Sequence, residues 1–308
     1  MYDIIINPAS RSGKGRSLWD QTIKPYLDEK QVEYTPFFSE KKGDVTALVQ
    51  KLTASTNGQT QKKLIILGGD GTFDEALQGI QNFSGAVIGY IPTGSSNDFA
   101  RDLRIPRDPI QALERILHTG STHSMDIGTV TLADGSIRRF AVSCGIGFDA
   151  AVCEEANRSR IKERLNRIGL GKLAYLGVAL KQLFSAKSVS CRLSLNGEEI
   201  TIRKFLFVAC MIHKYEGGGF MFAPNADSSD GLLDLCAVGS IPKLLILFAL
   251  PTAFFGKHYI FRGIDAYQAD SVRIRTTSPL WLHTDGEVPD RYDDIMVTCQ
   301  KGVLNIIY

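Results

Sequence analysis

The sequence predicts a doubly wound α/β domain followed by a mainly antiparallel β-sandwich-like domain. Up to about residue 120, short β-branched runs alternate with longer polar-faced segments, whereas strand patterns dominate after residue 126. The chain has 308 residues, and at about 150 residues per domain this length indicates two domains. We place them at residues 1–127 and 128–308 and leave open whether the last strand returns to the first domain.

In the first domain, predicted strands and helices alternate along the chain. The predicted strands are residues 2–7, 32–38, 64–67 and 86–91. The predicted helices are residues 17–29, 44–54, 73–80 and 109–118. This βαβα order predicts a parallel sheet with helices on both faces.

The second domain is predicted to consist mainly of strands. These strands are residues 189–195, 200–211, 233–238, 272–276 and 295–300. Turn signals at residues 133–135 and 196–197 predict hairpins between neighbouring strands. Helical segments are expected near residues 150–184 and 241–255.

Composition excludes several classes of protein. A net charge of +2 and a hydrophobic content of 44% argue against disorder and against a polybasic protein that binds nucleic acid. The six cysteines form no C-x-x-C pair, which favours reduced thiols and a cytoplasmic location. The most apolar stretch, residues 244–255, is interrupted by Pro251 and is shorter than the roughly 20 residues of a spanning helix.

The sharpest local feature is a glycine-rich loop. An apolar strand runs into Gly68-Gly69-Asp70-Gly71-Thr72, and a helix follows. Such a turn presents backbone N–H groups at a helix N-terminus and lets a phosphate approach closely. Asp70 would add a carboxylate, and with it Mg²⁺, beside that phosphate. The alternative is an ordinary tight turn with a solvated aspartate.

The loop resembles the G-G-D-G-T signature of the diacylglycerol kinase catalytic domain family, which sphingosine kinases and NAD kinases share. Other motifs resemble those of soluble bacterial lipid kinases, in order and spacing, over nearly the whole chain. They are N-P-A-S at 7–10, G-K-G at 13–15, P-T-G-S-S-N-D-F-A-R at 92–101, M-D-I-G at 125–128, G-I-G-F-D at 145–149, S-D-G-L-L-D at 229–234 and D-G-E at 285–287. Asp74 and Ser95 depart from the family, which commonly has Asn and Thr there.

The resemblance implies an ATP- and Mg²⁺-dependent kinase that phosphorylates a lipid hydroxyl, with diacylglycerol as the first expectation and phosphatidic acid as its product. Lys14 would add a local positive charge, although it lies outside any Walker A pattern and could be merely solvated. The residues implied to surround ATP are Asn7, Pro8, Ala9, Ser10, Ser39, Gly68, Gly69, Asp70, Gly71, Thr72, Glu75, Thr93 and Gly94.

The resemblance also assigns roles to carboxylates. Asp70, Asp98 and Asp126 would form a network around catalytic Mg²⁺. Asp98 could instead cap a helix, and Asp126 could be a turn residue. Asp285 or Glu287 would accept the proton of the lipid hydroxyl. The sequence does not decide between these two carboxylates, and the alternative for Asp285 is a plain hairpin turn.

A second metal site is implied at Asp227, Asp230 and the carbonyl of Leu232, with a solvated acidic loop as the alternative. None of the five histidines has the spacing of a metal ligand. His283, close to the expected base, could touch substrate, but a packed strand histidine is the favoured interpretation.

The expected partner is a lipid substrate at the membrane surface. Residues 158–172 carry six basic side chains against one acidic one, which suits either anionic phospholipid headgroups or a solvated helix face. For residues 244–255 a buried helix is favoured over contact with acyl chains. We expect a cytoplasmic protein associated peripherally with the inner face of the membrane, and the family suggests a homodimer. The alternative functions are an NAD kinase-like enzyme and a low-turnover, nucleotide-dependent lipid-binding regulator.

Overall fold

A computed structural model describes residues 1–54, 61–158, 177, 181–185 and 189–308. Its first four strands are parallel and lie in the order β4-β3-β1-β2. Residues 4–6 and 64–67 are fully buried, as expected for apolar strands covered by helices on both faces. The four strands are β1 Tyr2–Ile6, β2 Tyr34–Phe38, β3 Lys62–Gly68 and β4 Ala86–Pro92.

The predicted helices at residues 44–54, 73–80 and 109–118 are present, whereas the N-terminal helix is divided and a short helix at Asp98–Asp102 was not among the predicted helices. The single helix predicted at 17–29 is divided, because a π-helical segment at Trp19–Ile23 interrupts it. The helix after the glycine-rich loop begins at Asp70, earlier than the predicted residue 73. The helices are α1 Ser10–Gly13, α2 Gly15–Leu18, α3 Lys24–Glu29, α4 Asp44–Thr53, α5 Asp70–Gly79, α6 Asp98–Asp102 and α7 Pro109–His118.

The strand order creates a crevice. From β1 the chain passes outward to β2 and then returns to β3 and β4 on the other side of β1. In doubly wound sheets, ligands bind beside the carboxyl ends of strands where the direction reverses. Here those ends are followed by Asn7 and by the glycine-rich loop.

The second half is mainly antiparallel, as predicted. The hairpin between β8 and β9 turns at Asn196 and Gly197, whose φ angles of 53° and 78° suit a tight two-residue turn. The turn at residues 133–135 connects β5 and β6. The strands are β5 His123–Thr131, β6 Ile137–Phe140, β7 Ser143–Gly147, β8 Val189–Leu195, β9 Glu198–Met211, β10 Leu233–Gly239, β11 Ile264–Ala269, β12 Ser271–Thr284 and β13 Arg291–Ile307.

Strand β13 joins the two halves. It pairs antiparallel with β12 and β5, and its end lies parallel to β4, with Ile306 opposite Ile88. The described strands therefore form one continuous sheet, and residue 127 lies within β5.

Two further helices decorate the second half, α8 Phe148–Arg158 and α9 Lys243–Ala253. The rest of the basic segment, residues 159–172, lies outside the described residues. In α9, Ile246 and Ala249 are buried, but Leu244 and Phe248 are 65% and 69% exposed. The expectation of a buried helix is therefore correct for one face only. Among the described residues, no helix has the length and apolar character needed to span a membrane.

Candidate active site

The glycine-rich loop is held by very close packing. A Cβ on Gly68 would lie 2.4 Å from Thr72 Cβ, and a Cβ on Gly69 would lie 3.0 Å from Gly94 Cα. Side chains at these positions would push the loop away from the start of α5. The glycines therefore keep backbone amides at the helix N-terminus close to the crevice, where they can face a phosphate.

The other residues implied to bind nucleotide lie at the same edge of the sheet. Asn7 Nδ2 donates to Thr72 Oγ1 at 2.9 Å, and the Ser39 amide donates to the Ile6 carbonyl at 3.0 Å. The amide of Thr93 donates to the Gly68 carbonyl at 2.8 Å. The loops after β1, β2, β3 and β4 thus meet in one crevice, as the sequence predicts for a doubly wound sheet.

Residues 7–10 and Glu75 of this set, and Lys14, which the resemblance gives as a local positive charge, have other surroundings. Gly15 packs against residues 7–10, since a Cβ there would lie 2.3 Å from the Asn7 carbonyl oxygen. Glu75 accepts a hydrogen bond from the Gly43 amide at 3.0 Å, which connects α5 to the start of α4. Lys14 lies between α1 and α2, and it is exposed.

Two aspartates face the crevice from neighbouring loops. Asp70 Oδ2 accepts the Asn97 amide at 2.8 Å, and Asp98 Oδ2 accepts the Gly218 amide at 2.7 Å. Burial, and next the negative charge of Asp98, raises the pKa of Asp70 to about 7. Burial also raises the pKa of Asp98. The second oxygen of each, Oδ1, is buried and has no hydrogen-bond partner in the described structure.

Asp74 extends this group of carboxylates. It is 3% exposed, accepts a hydrogen bond from Gln78 Nε2 at 2.9 Å and lies 3.7 Å from Arg138 Nη2. Burial, followed by the negative charge of Asp285, raises the pKa of Asp74 to about 8. The departure from the family at this position therefore adds a carboxyl group that favours its neutral form.

Asp285 and Glu287 belong to one tight turn but differ in their contacts. Asp285, at φ 50°, accepts hydrogen bonds of 2.7 to 3.0 Å from the amides of residues 141–143. Glu287 reaches across to the glycine-rich loop, because a Cβ on Gly71 would lie 3.5 Å from Glu287 Oε1. Its Oε2 lies 2.6 Å from Lys42 Nζ. Residues 284–287 do form a hairpin turn, and that turn carries a carboxylate to the signature. We refer to Asp70, Asp74, Asp98 and Asp285 as the crevice cluster.

Asp126 makes a different set of contacts. Its Oδ1 and Oδ2 accept the amides of Gly302 and Gly231 at 2.7 and 2.6 Å, and its own amide donates to the Ser228 carbonyl at 2.8 Å. The structure thus attaches Asp126 to the loop that follows residue 226. None of these contacts joins it to Asp70 or Asp98.

The residues implied for a second metal site lie in this same loop. Asp227 Oδ1 accepts the Ser229 amide at 3.0 Å, and Asp230 Oδ1 accepts the Leu232 amide at 2.8 Å. Lys301 Nζ donates to the Asp230 carbonyl at 3.0 Å, so the positive charge of a lysine already lies beside this loop. No buried unpartnered oxygen of the described loop points to a missing ion, and the second metal site stays a prediction. We refer to Asp126, Asp227 and Asp230 as the loop cluster.

Sequence reasoning missed several residues in the crevice and behind it. Lys42 follows β2 in a polar stretch that has no periodicity, and only the tertiary structure brings it to Glu287. Arg138 belongs to β6 and approaches Asp74 across the domain boundary. Glu216 precedes three glycines, at residues 217–219, and that run was the available signal for a loop in close contact with another element.

Comparisons with known proteins agree with this architecture. The family description "Diacylglycerol kinase catalytic domain" matches residues 2–130, and "YegS C-terminal NAD kinase beta sandwich-like domain" matches residues 142–308. YtlR of Bacillus subtilis, named as a candidate lipid kinase, is 28% identical over 291 residues, which is 92% of each chain. A diacylglycerol kinase of Mycobacterium tuberculosis is 28% identical over 236 residues, or 77% of this chain and 74% of the relative.

Solved structures share the fold at lower identity. A candidate diacylglycerol kinase from Bacillus anthracis superimposes with a TM-score of 0.77 and 21% identity, covering 100% of this chain and 97% of the other. An NAD kinase from Archaeoglobus fulgidus, solved with ATP, has a TM-score of 0.54 and 12% identity, covering 100% and 94% of the two chains. With family matches across both halves, the chain belongs to the diacylglycerol kinase family of lipid kinases.

Proposed function

We propose that the protein uses ATP and Mg²⁺ to phosphorylate a lipid hydroxyl, with diacylglycerol as the substrate and phosphatidic acid as the product. One observation carries this proposal: the crevice cluster and Glu287 converge on the glycine-rich N-terminus of α5. Phosphoryl transfer needs positioning and charge stabilisation more than covalent chemistry. The glycine-rich loop would position the phosphates, and the carboxylates would hold the Mg²⁺ that stabilises their charge.

Asp70 and Asp98 are the residues that would hold Mg²⁺. Each has one buried oxygen without a hydrogen-bond partner, and carboxylate oxygens are the ligands that Mg²⁺ prefers. When bound, the ion would neutralise charge on the phosphates. The raised pKa values of both aspartates reflect their burial next to negative charge, which is the setting in which a cation binds well.

Glu287 is the better candidate for the general base. The amides of residues 141–143 donate to the Asp285 side chain and hold it as an anchor, whereas the Glu287 side chain faces the signature. In the proposed reaction the lipid hydroxyl oxygen forms a bond to the γ-phosphorus, the bond from that phosphorus to ADP breaks, and the hydroxyl proton passes to Glu287. Lys42 would leave Glu287 and contact the ATP phosphates.

The lipid would reach this crevice from a membrane that contacts the exposed face of α9. We define the docking face as the exposed apolar residues of α9 and of the segment that follows it, Leu244, Phe248, Phe255 and Ile260, which are 65–76% exposed. Between residues 240 and 264 the chain carries Lys243, Lys257 and Arg262 and no acidic residue. An apolar face with a basic rim complements an anionic bilayer.

The reaction is tested by labelled phosphate transfer from ATP into mixed micelles that carry one candidate lipid at a time. Transfer into diacylglycerol that Asp70→Ala abolishes supports the proposal, and Asp293→Ala, an exposed carboxylate, is the matched control. A parallel reaction replaces the lipid with NAD, because the NAD kinase fold is related. Formation of NADP without lipid transfer would reject the lipid proposal.

Membrane docking is tested separately by co-sedimentation with phosphatidylglycerol or phosphatidylcholine vesicles. We expect binding to the anionic vesicles and a large loss of binding in Phe248→Ser with Phe255→Ser. Ile137→Ser is the control, since Ile137 is also exposed, at 62%, but lies on β6. Equal binding by wild type and the double variant would exclude this face as the docking surface.

A further inference from the structure

A histidine with no exposed surface lies directly behind the crevice. His283 Nε2 lies 3.3 Å from Asp149 Oδ2 and 3.2 Å from Glu216 Oε1. Asp149 and Glu216 are 8% and 9% exposed. The three residues come from α8, the loop after β9 and the end of β12, so their contact is entirely tertiary. We call them the buried triad.

The backbone leaves room for the buried triad. Gly145 on β7 lies opposite His283 in the sheet. A Cβ on Gly145 would lie 1.8 Å from Asp149 Oδ2 and 2.4 Å from His283 Nε2. Any side chain at this position would displace both groups, and the glycine therefore permits the histidine and the carboxylate to meet.

The hydrogen bonds of the imidazole ring distinguish two interpretations of the triad. Three such groups could ligate a metal ion, which would require an unprotonated Nε2. However, the Gly286 amide points at Nδ1 from 3.3 Å, so Nδ1 is an acceptor and the ring proton belongs on Nε2. There it lies between two carboxylates. The geometry favours a hydrogen-bonded triad over a metal centre.

The two ring nitrogens connect two loops of the proposed active site. The backbone of Glu216 pairs with Phe220 and closes a loop in which Gly218 donates to Asp98. Gly286 lies between Asp285 and Glu287, and its carbonyl also accepts Asn157 Nδ2 from α8 at 3.1 Å. His283 therefore contacts both loops, Glu216 through Nε2 and Gly286 through Nδ1.

We propose that His283 is a positioning residue. It holds the loop at residues 216–220, whose Gly218 donates to Asp98, against the turn that carries Glu287. This inference rests on the proposed kinase function for its catalytic consequence. Loss of the His283 contacts would displace Glu287 relative to the phosphoryl group. A displacement of about 1 Å costs on the order of 10²-fold in rate. In the described structure no hydrogen bond or ion pair joins a triad side chain to the loops after β1, β2 and β3, so ATP binding should be retained.

The test compares variants of the triad under saturating ATP. We expect His283→Asn to lower kcat by about 10²-fold with little change in the KM for ATP. Glu216→Gln should retain kcat, because its amide oxygen can still accept the Nε2 proton and Oε2 has no partner to lose. His118→Asn, an exposed histidine, is the control. Equal loss in Glu216→Gln and His283→Asn, or unchanged kcat in His283→Asn, would overturn the proposal.

A second measurement does not depend on turnover. Histidine ¹⁵N–¹H correlation spectra, assigned by the signal lost in His283→Asn, should show a protonated Nε2. One equivalent of tightly bound metal that is absent from His283→Asn would instead identify a metal centre and reject the hydrogen-bonded triad. A protonated Nε2 in a protein that phosphorylates no lipid would support the triad and reject the kinase proposal, so the two failures are distinguishable.

Discussion

The crevice cluster and the loop cluster are both groups of aspartates, but their hydrogen bonding differs. In the loop cluster, both oxygens of Asp126 accept backbone amides, and Lys301 supplies a nearby cation. In the crevice cluster, Asp70 and Asp98 each keep a buried oxygen without a hydrogen-bond partner, with Arg101 Nε 3.7 Å from that oxygen of Asp98, and burial raises the pKa of both.

This difference separates structural from functional carboxylates. A carboxylate that accepts two amides stabilises the fold and has little capacity left for a ligand. A buried carboxylate with a free oxygen destabilises the fold unless a cation joins it. Such groups persist where function requires them. The comparison therefore predicts opposite changes in stability for Asp70→Asn and Asp126→Asn, whereas Asp285, which accepts three amides, should respond as Asp126 does.

Asp70→Asn should have the largest effect on activity. We expect a loss of at least about 10²–10³-fold in kcat, the range for removing one preorganised electrostatic contact. Stability without Mg²⁺ should increase. The pKa of Asp70 is about 7 in the folded protein against 3.8 otherwise, so ionisation opposes folding progressively as the pH rises through that interval, at about 1.4 kcal/mol per pKa unit.

Thermal unfolding of both proteins in EDTA, at pH 5 and pH 8, measures this effect. The stability advantage of Asp70→Asn should be larger at pH 8 than at pH 5. A variant that is less stable than wild type at both pH values would show that Asp70 supports the fold, and it would remove the distinction between the clusters.

Glu287→Gln and Asp285→Asn should show which carboxylate is the general base and which one only anchors the turn. Loss of a general base lowers kcat by about 10²–10⁴-fold, and we expect this in Glu287→Gln with an unchanged melting temperature. Asp285→Asn replaces one accepting oxygen by an NH₂ group that faces an amide, which should destabilise the fold by about 1–3 kcal/mol. Steady-state kinetics and urea unfolding of both variants provide the measurement, and a reversed pattern would make Asp285 the base.

Asp126→Asn tests the loop cluster itself. The new NH₂ group would face the amide of Gly231 or Gly302, so we expect a loss of about 1–3 kcal/mol in the free energy of unfolding with kcat retained per folded molecule. A loss of kcat comparable to that of Asp70→Asn, with stability unchanged, would return Asp126 to the catalytic metal network that the family resemblance implies.

Much of the fold was predictable because its signals are local. The buried parts of β1 and β3, residues 4–6 and 64–67, are continuous isoleucine and leucine runs. The Asn196-Gly197 pair predicts a tight turn because both residue types tolerate the positive φ angles that the structure shows there. The π-helical interruption at Trp19–Ile23 has no comparable local signal. The exposed face of α9 was the less favoured interpretation, because a mostly apolar helix carries no polar stripe that identifies its buried side.

The candidate site was predictable only as far as its motifs extend. The D-G-E motif located the turn, but the choice between Asp285 and Glu287 depends on amides at residues 141–143 that no spacing connects to it. Asp149, Glu216 and His283 meet through three separate elements, and a single sequence contains no signal for such a contact. The sequence therefore identified the loops, and tertiary packing decided which carboxylates are satisfied.

Asp74→Asn should have the smallest effect on kcat at neutral pH, and its effect should appear only at alkaline pH. Because burial and the charge of Asp285 raise the pKa of Asp74 to about 8, the group is mostly neutral at pH 7 and an asparagine resembles it. Above pH 8 wild type gains a negative charge beside Asp285, whereas the variant does not. We expect similar kcat values at pH 7 and a higher kcat for the variant at pH 9.

The stability of wild type relative to Asp74→Asn should also fall as the pH rises. Between 3.8 and about 8 the folded protein retains a proton on Asp74 that the unfolded chain releases, so wild-type stability declines relative to Asp74→Asn as the pH rises through that interval. Asp293→Asn, on the exposed side of β13, should show no such trend. Parallel pH profiles for wild type and Asp74→Asn would mean that Asp74 is ionised at neutral pH and paired with Arg138, and Asp74 would then belong with the satisfied carboxylates of the loop cluster.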